Sequence, residues 1–123
     1  MDIQKISDFS QMTDGMIFEL TREDIDEGIA LDCKLCPVSR ALNRRFANNI
    51  IVETGFMVIL IDTDTDERIY IELQFQVRLW IHDYDQQWIK RRIRVGNPIR
   101  LELKIYERDD GKLHYQLYSQ KGR

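Results

Sequence analysis

Ile99, Leu101, Leu103 and Ile105 alternate with Arg100, Glu102, Lys104 and Tyr106. After Asp109-Asp110-Gly111-Lys112 the alternation resumes with Leu113, Tyr115 and Leu117. A period of two places each apolar set on one face of a strand, and Asp-Gly is a strong hairpin turn. An isolated hairpin cannot bury its apolar face in water. The rest of the chain must therefore build a sheet and a covering layer around this one, and that demand constrains the fold more than any other feature.

The remaining strands are shorter. Met16–Leu20, Ile50–Glu53, Phe56–Ile61 and Arg68–Leu73 are rich in β-branched and aliphatic residues, with Gly55 at a tight turn between the second and third. Helical signals lie between them. Thr21 with Asp24 three residues on resembles a capping box, and Gly28 closes that helix after about two turns. Pro37 suits the first position of a second helix, because its missing N–H would be unpaired there anyway. Val38, Ala41, Leu42, Arg45 and Phe46 follow at helical spacing, and Asn48-Asn49 ends the run.

Residues 69–85 carry two periods at once. Ile69 to Ile81 alternate as one long strand would, while Leu73, Val77, Trp80, Tyr84 and Trp88 fall on one helical stripe. A strand of about 13 residues exceeds the usual five or six, and a resemblance described below tips the choice, so a strand to Leu73 and a helix over Gln74–Tyr84 are expected. A chain of 123 residues suits one domain. The expected fold is α+β: a mostly antiparallel sheet of five or six strands, with two or three helices packed chiefly on one face. Residues 1–15, polar and rich in turn formers, are expected as a flexible or loosely docked arm, residues 16–119 as the domain and 120–123 as a frayed tail.

No apolar run reaches the ~18 residues of a membrane span, and Met1–Lys5 lack the basic and apolar regions of a signal peptide. A cytoplasmic protein is expected. Charge is unevenly placed. Residues 1–67 hold 14 acids against 6 bases, and residues 68–123 hold 7 acids against 12 bases. Such asymmetry accompanies electrostatic partners, or halves that face each other in the fold.

Cys33 and Cys36 are the two cysteines. A Cys-x2-Cys pair is half of a tetrahedral zinc site. His82 and His114 are the two histidines, and they show no ligand spacing that would complete it; a homodimer would supply a second pair of thiolates. A thiol at a helix N-terminus also suits redox chemistry, but a thioredoxin-like motif follows a strand and this one follows a short helix. The structural reading, a small residue at the start of a helix, weighs most. No cofactor is expected, zinc being the metal that the pair would suit.

Asp62-Thr63-Asp64-Thr65-Asp66-Glu67 superficially resembles a calcium loop. An EF-hand needs Gly at its sixth position and Glu at its twelfth; here these are Glu67 and Leu73, so a solvated hairpin loop is expected. Trp88, Lys90, Arg91, Arg92 and Arg94, extended by Arg100 and Lys104, form a cluster that could meet phosphates while Trp88 stacks on a base. The isoelectric point near 5.4 argues against nucleic acid, and pairing of the cluster with the acidic loop or helix is favoured. Phosphate-loop, nucleophile-elbow and H-E-x-x-H motifs are lacking. His82 beside Asp83 and Asp85 is the one general-base candidate, and an enzyme is not expected.

Four segments, Thr21–Gly28, Cys36-Pro37-Val38-Ser39-Arg40-Ala41-Leu42, Trp80–Asp85 and Asn97-Pro98-Ile99-Arg100-Leu101, resemble a loose group of small uncharacterised proteins from phages, plasmids and bacterial genomes. These carry I-x-x-G, C-P-V/I-x-x-A-L, W-I-x-x-F/Y-D and a Pro that opens a closing strand. The resemblance covers about residues 20–105. Tyr84 stands where Phe is commoner, and Gln86–Asn97 is longer than usual. It implies an α+β fold that is helical near Trp80, no established activity, and no functional residues to carry over. The leading expectation is a non-enzymatic binding or regulatory protein with a protein partner, such as a phage-type accessory protein that modulates a host system. Nucleic-acid binding through the 88–94 cluster, and a zinc or thiol site at Cys33/Cys36, stand behind it.

Overall fold

The computed structural model describes residues 4–120. Its elements run β1 (Ile17–Leu20), α1 (Arg22–Glu27), α2 (Pro37–Asn43), β2 (Ile50–Thr54), β3 (Met57–Asp62), β4 (Arg68–Leu73), α3 (Phe75–Arg91), β5 (Ile99–Glu107) and β6 (Leu113–Gln120). The six strands form one sheet in the order β1-β5-β6-β4-β3-β2. Every neighbouring pair is antiparallel except β4 and β6. The sheet joins a β2-β3-β4 meander to the β5–β6 hairpin, with β1 added to the outside of β5.

The expected α+β class with three helices is present. β1 and β2 are the opposite edges of the sheet, yet α2 packs against both. The sheet curls into a half-barrel, and α2 fills its concave side. Val38, Ala41 and Leu42, fully buried, form the apolar stripe of α2. Each Val or Leu side chain removed from water in this way contributes about 1.5–3 kcal/mol. Val52, Val58, Leu60, Ile71, Leu101, Leu103 and Leu117 meet the helices from the sheet.

Local signals explain the short helices. The Thr21 N–H donates to Asp24 Oδ2 at 2.9 Å and the Asp24 N–H to Thr21 Oγ1 at 3.3 Å, the reciprocal capping box that the spacing predicts. Pro37 is the first residue of α2, with Cys36 before it. α2 ends at Asn43, not beyond Phe46 as its spacing suggests. The Phe46 backbone instead bridges to Ile6 in parallel, and its ring stacks on Phe18.

That bridge corrects a second expectation. The segment read as a flexible or loosely docked arm is packed from Ile6 onward: the Ile6 N–H donates to Arg45 O at 2.9 Å, and Ile6, Phe9 and Met12 are buried. Their spacing of three is the period of the 3-10 turn Phe9–Gln11. Of the expected frayed tail, Gln120 is the last residue of β6, and residues 121–123 lie outside the described residues.

Strand β4 ends at Leu73 and α3 begins at Phe75, which resolves the double period in favour of the helix. The helix runs past the expected end at Tyr84 to Arg91, because neither Gly nor Pro occurs between Leu73 and Val95. Arg92, at φ 55°, ends it. Among the described residues no helix is long and apolar enough to cross a membrane.

Candidate functional site

The loop between α1 and α2 is pinned at three places, and the pins create a groove. At its start the Tyr84 hydroxyl donates to the carbonyls of Ile25 and Gly28, and Arg94 Nε donates to Gly28 O at 2.9 Å. In its middle the Leu31 N–H donates to Asp85 Oδ1 at 3.2 Å. At its end the Cys33 carbonyl accepts from the Thr54 N–H (2.8 Å) and from Ser39 Oγ (2.7 Å). Helix α3 holds one side of the loop and the end of β2 the other. Between them lies an open groove of about 680 Å³.

Its floor and walls are mainly apolar: Leu73 and Ile81, with Cys33 and Cys36 at the loop side. Leu31 and Phe56 stand on the rim, 66% and 94% exposed. Leu31 sits at φ 65°, a conformation that disfavours side chains with a Cβ. The Asp85 hydrogen bond helps hold it there. Phe56 lies in the β2–β3 turn, where its ring has no core to enter. Arg78, His82 and Asp85 border the groove from α3, and Asp32 borders it from the α1–α2 loop.

The acids of the groove are partly committed. Asp32 Oδ1 accepts from the N–H groups of Lys34 and Leu35, both at 2.9 Å. Burial pushes the Asp85 carboxyl above its ordinary pKa, and the Leu31 N–H draws it partly back. The Tyr84 phenol is likewise pushed up, chiefly by burial. Arg78 forms no ion pair among the described residues; its guanidinium lies 5.9 Å from the Phe75 ring centroid.

Cys33 is exposed and Cys36 buried, both as free thiols. His82 and Asp85, three residues apart on α3 and hence on one face of it, both border this groove. Among the described residues no three His, Cys, Asp or Glu side chains gather where they could hold a metal. A thiolate nucleophile needs its base within hydrogen-bond reach, and no hydrogen bond joins His82 to either cysteine. Asp62 anchors the acidic loop: its Oδ1 accepts from the Asp64 N–H at 2.9 Å and from Asn49 Nδ2 at 3.4 Å. The Asp64 N–H is the main reason that its carboxyl pKa is lowered.

The basic cluster is dispersed. Arg92 and Arg94 lie 5.6 and 4.9 Å from the centroid of the Trp88 ring, which takes up the surface a base would need. Arg94 also serves Gly28, and Arg100 pairs with Glu19 at 2.9 Å. Lys90 and Arg91 are exposed in the last turn of α3. The favoured pairing of this cluster with the acidic loop or helix is not found: among the described residues Lys90, Arg91, Arg92 and Arg94 make no ion pair. An aromatic ring and a carbonyl took the place of the acids.

Comparison of the chain with protein-family models, with curated proteins and with solved structures yields no match. Sequence reasoning missed Leu31, Phe56, Arg78 and Ile81 as groove residues. The signal for Phe56 was present, since a large aromatic after Gly55 occupies a turn position that small polar residues usually fill.

Proposed function

We propose that this chain is a non-enzymatic binding protein that acts through protein contacts, and that its groove receives a segment of a partner protein. The segment carries an apolar side chain for the Leu73–Ile81 floor and an acidic residue for Arg78. The exposure of Phe56 carries the reading. An aromatic side chain 94% exposed at the lip of an apolar groove has no use within the fold, whereas interfaces are enriched in aromatics of this kind. The groove has a volume that a ligand site would have. Its apolar groups, however, stand on the rim as well as inside, which suits a partner's surface better than an enclosed small molecule. Arg78 supplies a charge with no acidic partner of its own. An accessory protein acting on another protein would work in this way.

Random-peptide display selected on the wild-type protein tests this. Enriched peptides should share an apolar residue next to Asp or Glu, and should lose about tenfold or more in affinity on Phe56→Ser and on Arg78→Glu. Both positions are exposed, so both variants should fold. Peptides that bind these variants as well as wild type, or no enrichment at all, would sink the proposal.

A further inference from the structure

The outward face of the sheet is of two kinds. On β5 and β6 the outward residues include Arg100, Glu102, Lys104 and Gln116, the polar surface expected of an antiparallel sheet with one wet face. On β2, β3 and β4 the buried residues again alternate with outward ones, but there Ile51, Met57, Ile59, Ile61 and Tyr70 face outward together with the charged Glu53, Arg68 and Glu72. None of the four aliphatic residues is buried or part of the core, and Tyr70 is 50% exposed. Three adjacent strands thus present an apolar patch where the same sheet elsewhere presents charge.

The charges around the patch follow its register. One row across the strands reads Ile51, Ile61, Arg68; the next Glu53, Ile59, Tyr70; the third has Met57 beside Glu72. We propose that this face docks on the same face of a second copy of the chain, about a two-fold axis that crosses the strands through the Glu53–Ile59–Tyr70 row. Rotation about that axis exchanges the outer two rows. Ile59 then meets Ile59, Ile61 meets Met57, the Tyr70 rings meet, and Arg68 of each copy comes opposite Glu72 of the other. An axis parallel to the strands would instead set Arg68 over Ile51 and Glu53 over Tyr70, leaving charges against apolar groups. Of these two axes, the register favours the one that crosses the strands.

The free chain leaves these charges available. Arg68 makes no ion pair among the described residues. Glu72 has a 3.6 Å pair with Arg108, both side chains about half exposed, an arrangement that is weak in water. Glu53, which would face its own copy at the rim, lies 3.9 Å from Lys34 Nζ, so its charge is partly offset. Three strands about 4.8 Å apart and about five residues long make a patch of a few hundred Å² per copy, below the standard interface size. The association is accordingly weak and reversible. The groove proposal does not depend on it.

Sedimentation equilibrium of the full chain over a concentration series tests the proposal. Wild type should approach twice the 14.8 kDa chain mass. Ile59→Asp should be monomeric with an unchanged far-ultraviolet circular dichroism spectrum. Arg68→Glu should raise the dissociation constant about tenfold or more, and Arg68→Glu combined with Glu72→Arg should restore it to near the wild-type value. Arg78→Glu, in the groove, should leave it unchanged. A wild-type monomer up to about 1 mM, a dimer indifferent to Ile59→Asp, or a charge exchange that fails to restore association would each overturn the proposal.

Discussion

The Tyr84 hydroxyl lies 2.8 Å from the carbonyl oxygen of Ile25 and 3.2 Å from that of Gly28, so one buried side chain on α3 satisfies two carbonyls at the end of α1. The Ile29 N–H, which would have bonded to Ile25 O had the helix continued, donates to Leu35 O instead. Tyr84→Phe keeps the ring and its stacking on Trp80 at a 5.5 Å centroid distance but leaves the Ile25 carbonyl buried without its donor. Chemical denaturation should show a loss of about 1–3 kcal/mol. A loss below a few tenths would mean that water replaces the hydroxyl.

Gly28 is required for space and not for backbone freedom, since its φ is −67°. A Cβ there would lie 2.5 Å from Asp24 O and 2.9 Å from Pro37 Cδ, whereas one at Gly55 would meet nothing within 4 Å. Gly28→Ala should cost about 2–3 kcal/mol because backbone and a proline ring must shift. Gly55→Ala should change stability by no more than about 0.5 kcal/mol. Equal effects at the two positions in thermal melts would contradict the close approach of α1 to α2.

Within the basic cluster, stability and charge should separate. Arg94 donates to Gly28 and covers the Trp88 ring, so Arg94→Ala should cost about 1–2 kcal/mol. Lys90→Ala and Arg91→Ala, at exposed positions without ion pairs, should stay within about 0.5 kcal/mol of wild type. Urea midpoints decide between this and a cluster in which all the cations contribute alike.

Asp85 carries a pH signature. Burial raises its carboxyl pKa in the folded protein, so the folded state holds the proton to higher pH than the unfolded chain does. Stability contributed by the protonated form is then lost as pH rises from the unfolded to the folded pKa. Asp85→Asn removes that loss while its side-chain oxygen can still accept from Leu31. The variant should therefore be at least as stable as wild type at neutral pH, with the difference shrinking as pH falls below the carboxylate range of about 4. A difference that does not vary with pH would show that burial of the charge is not the cause.

Much of the fold was legible because it rests on local chemistry. The 99–117 hairpin, the Thr21–Asp24 box and Pro37 at a helix start are each dictated by residues within one turn or one strand of each other. Errors arose where a distant partner overrode local spacing. Phe46 left its helical phase to pair with Ile6, and the N-terminal segment became part of the core because Phe9 and Met12 found apolar surface in the fold. The candidate site was legible only in fragments. Cys33, Cys36 and His82 could be named, but not their position along one groove with Phe56 and Arg78.

Periodicity and capping act over a few residues, so the amino-acid order already fixes which faces must be buried, where helices start and where strands reverse. The tertiary structure alone decided the strand order, the placing of α2 between the two sheet edges, and the use of Arg94 on a carbonyl and a ring instead of an acid. Those outcomes depend on which surfaces meet between segments distant in the chain, 66 residues apart for Arg94 and Gly28, where proximity and burial select the partner and local pattern carries no record of it.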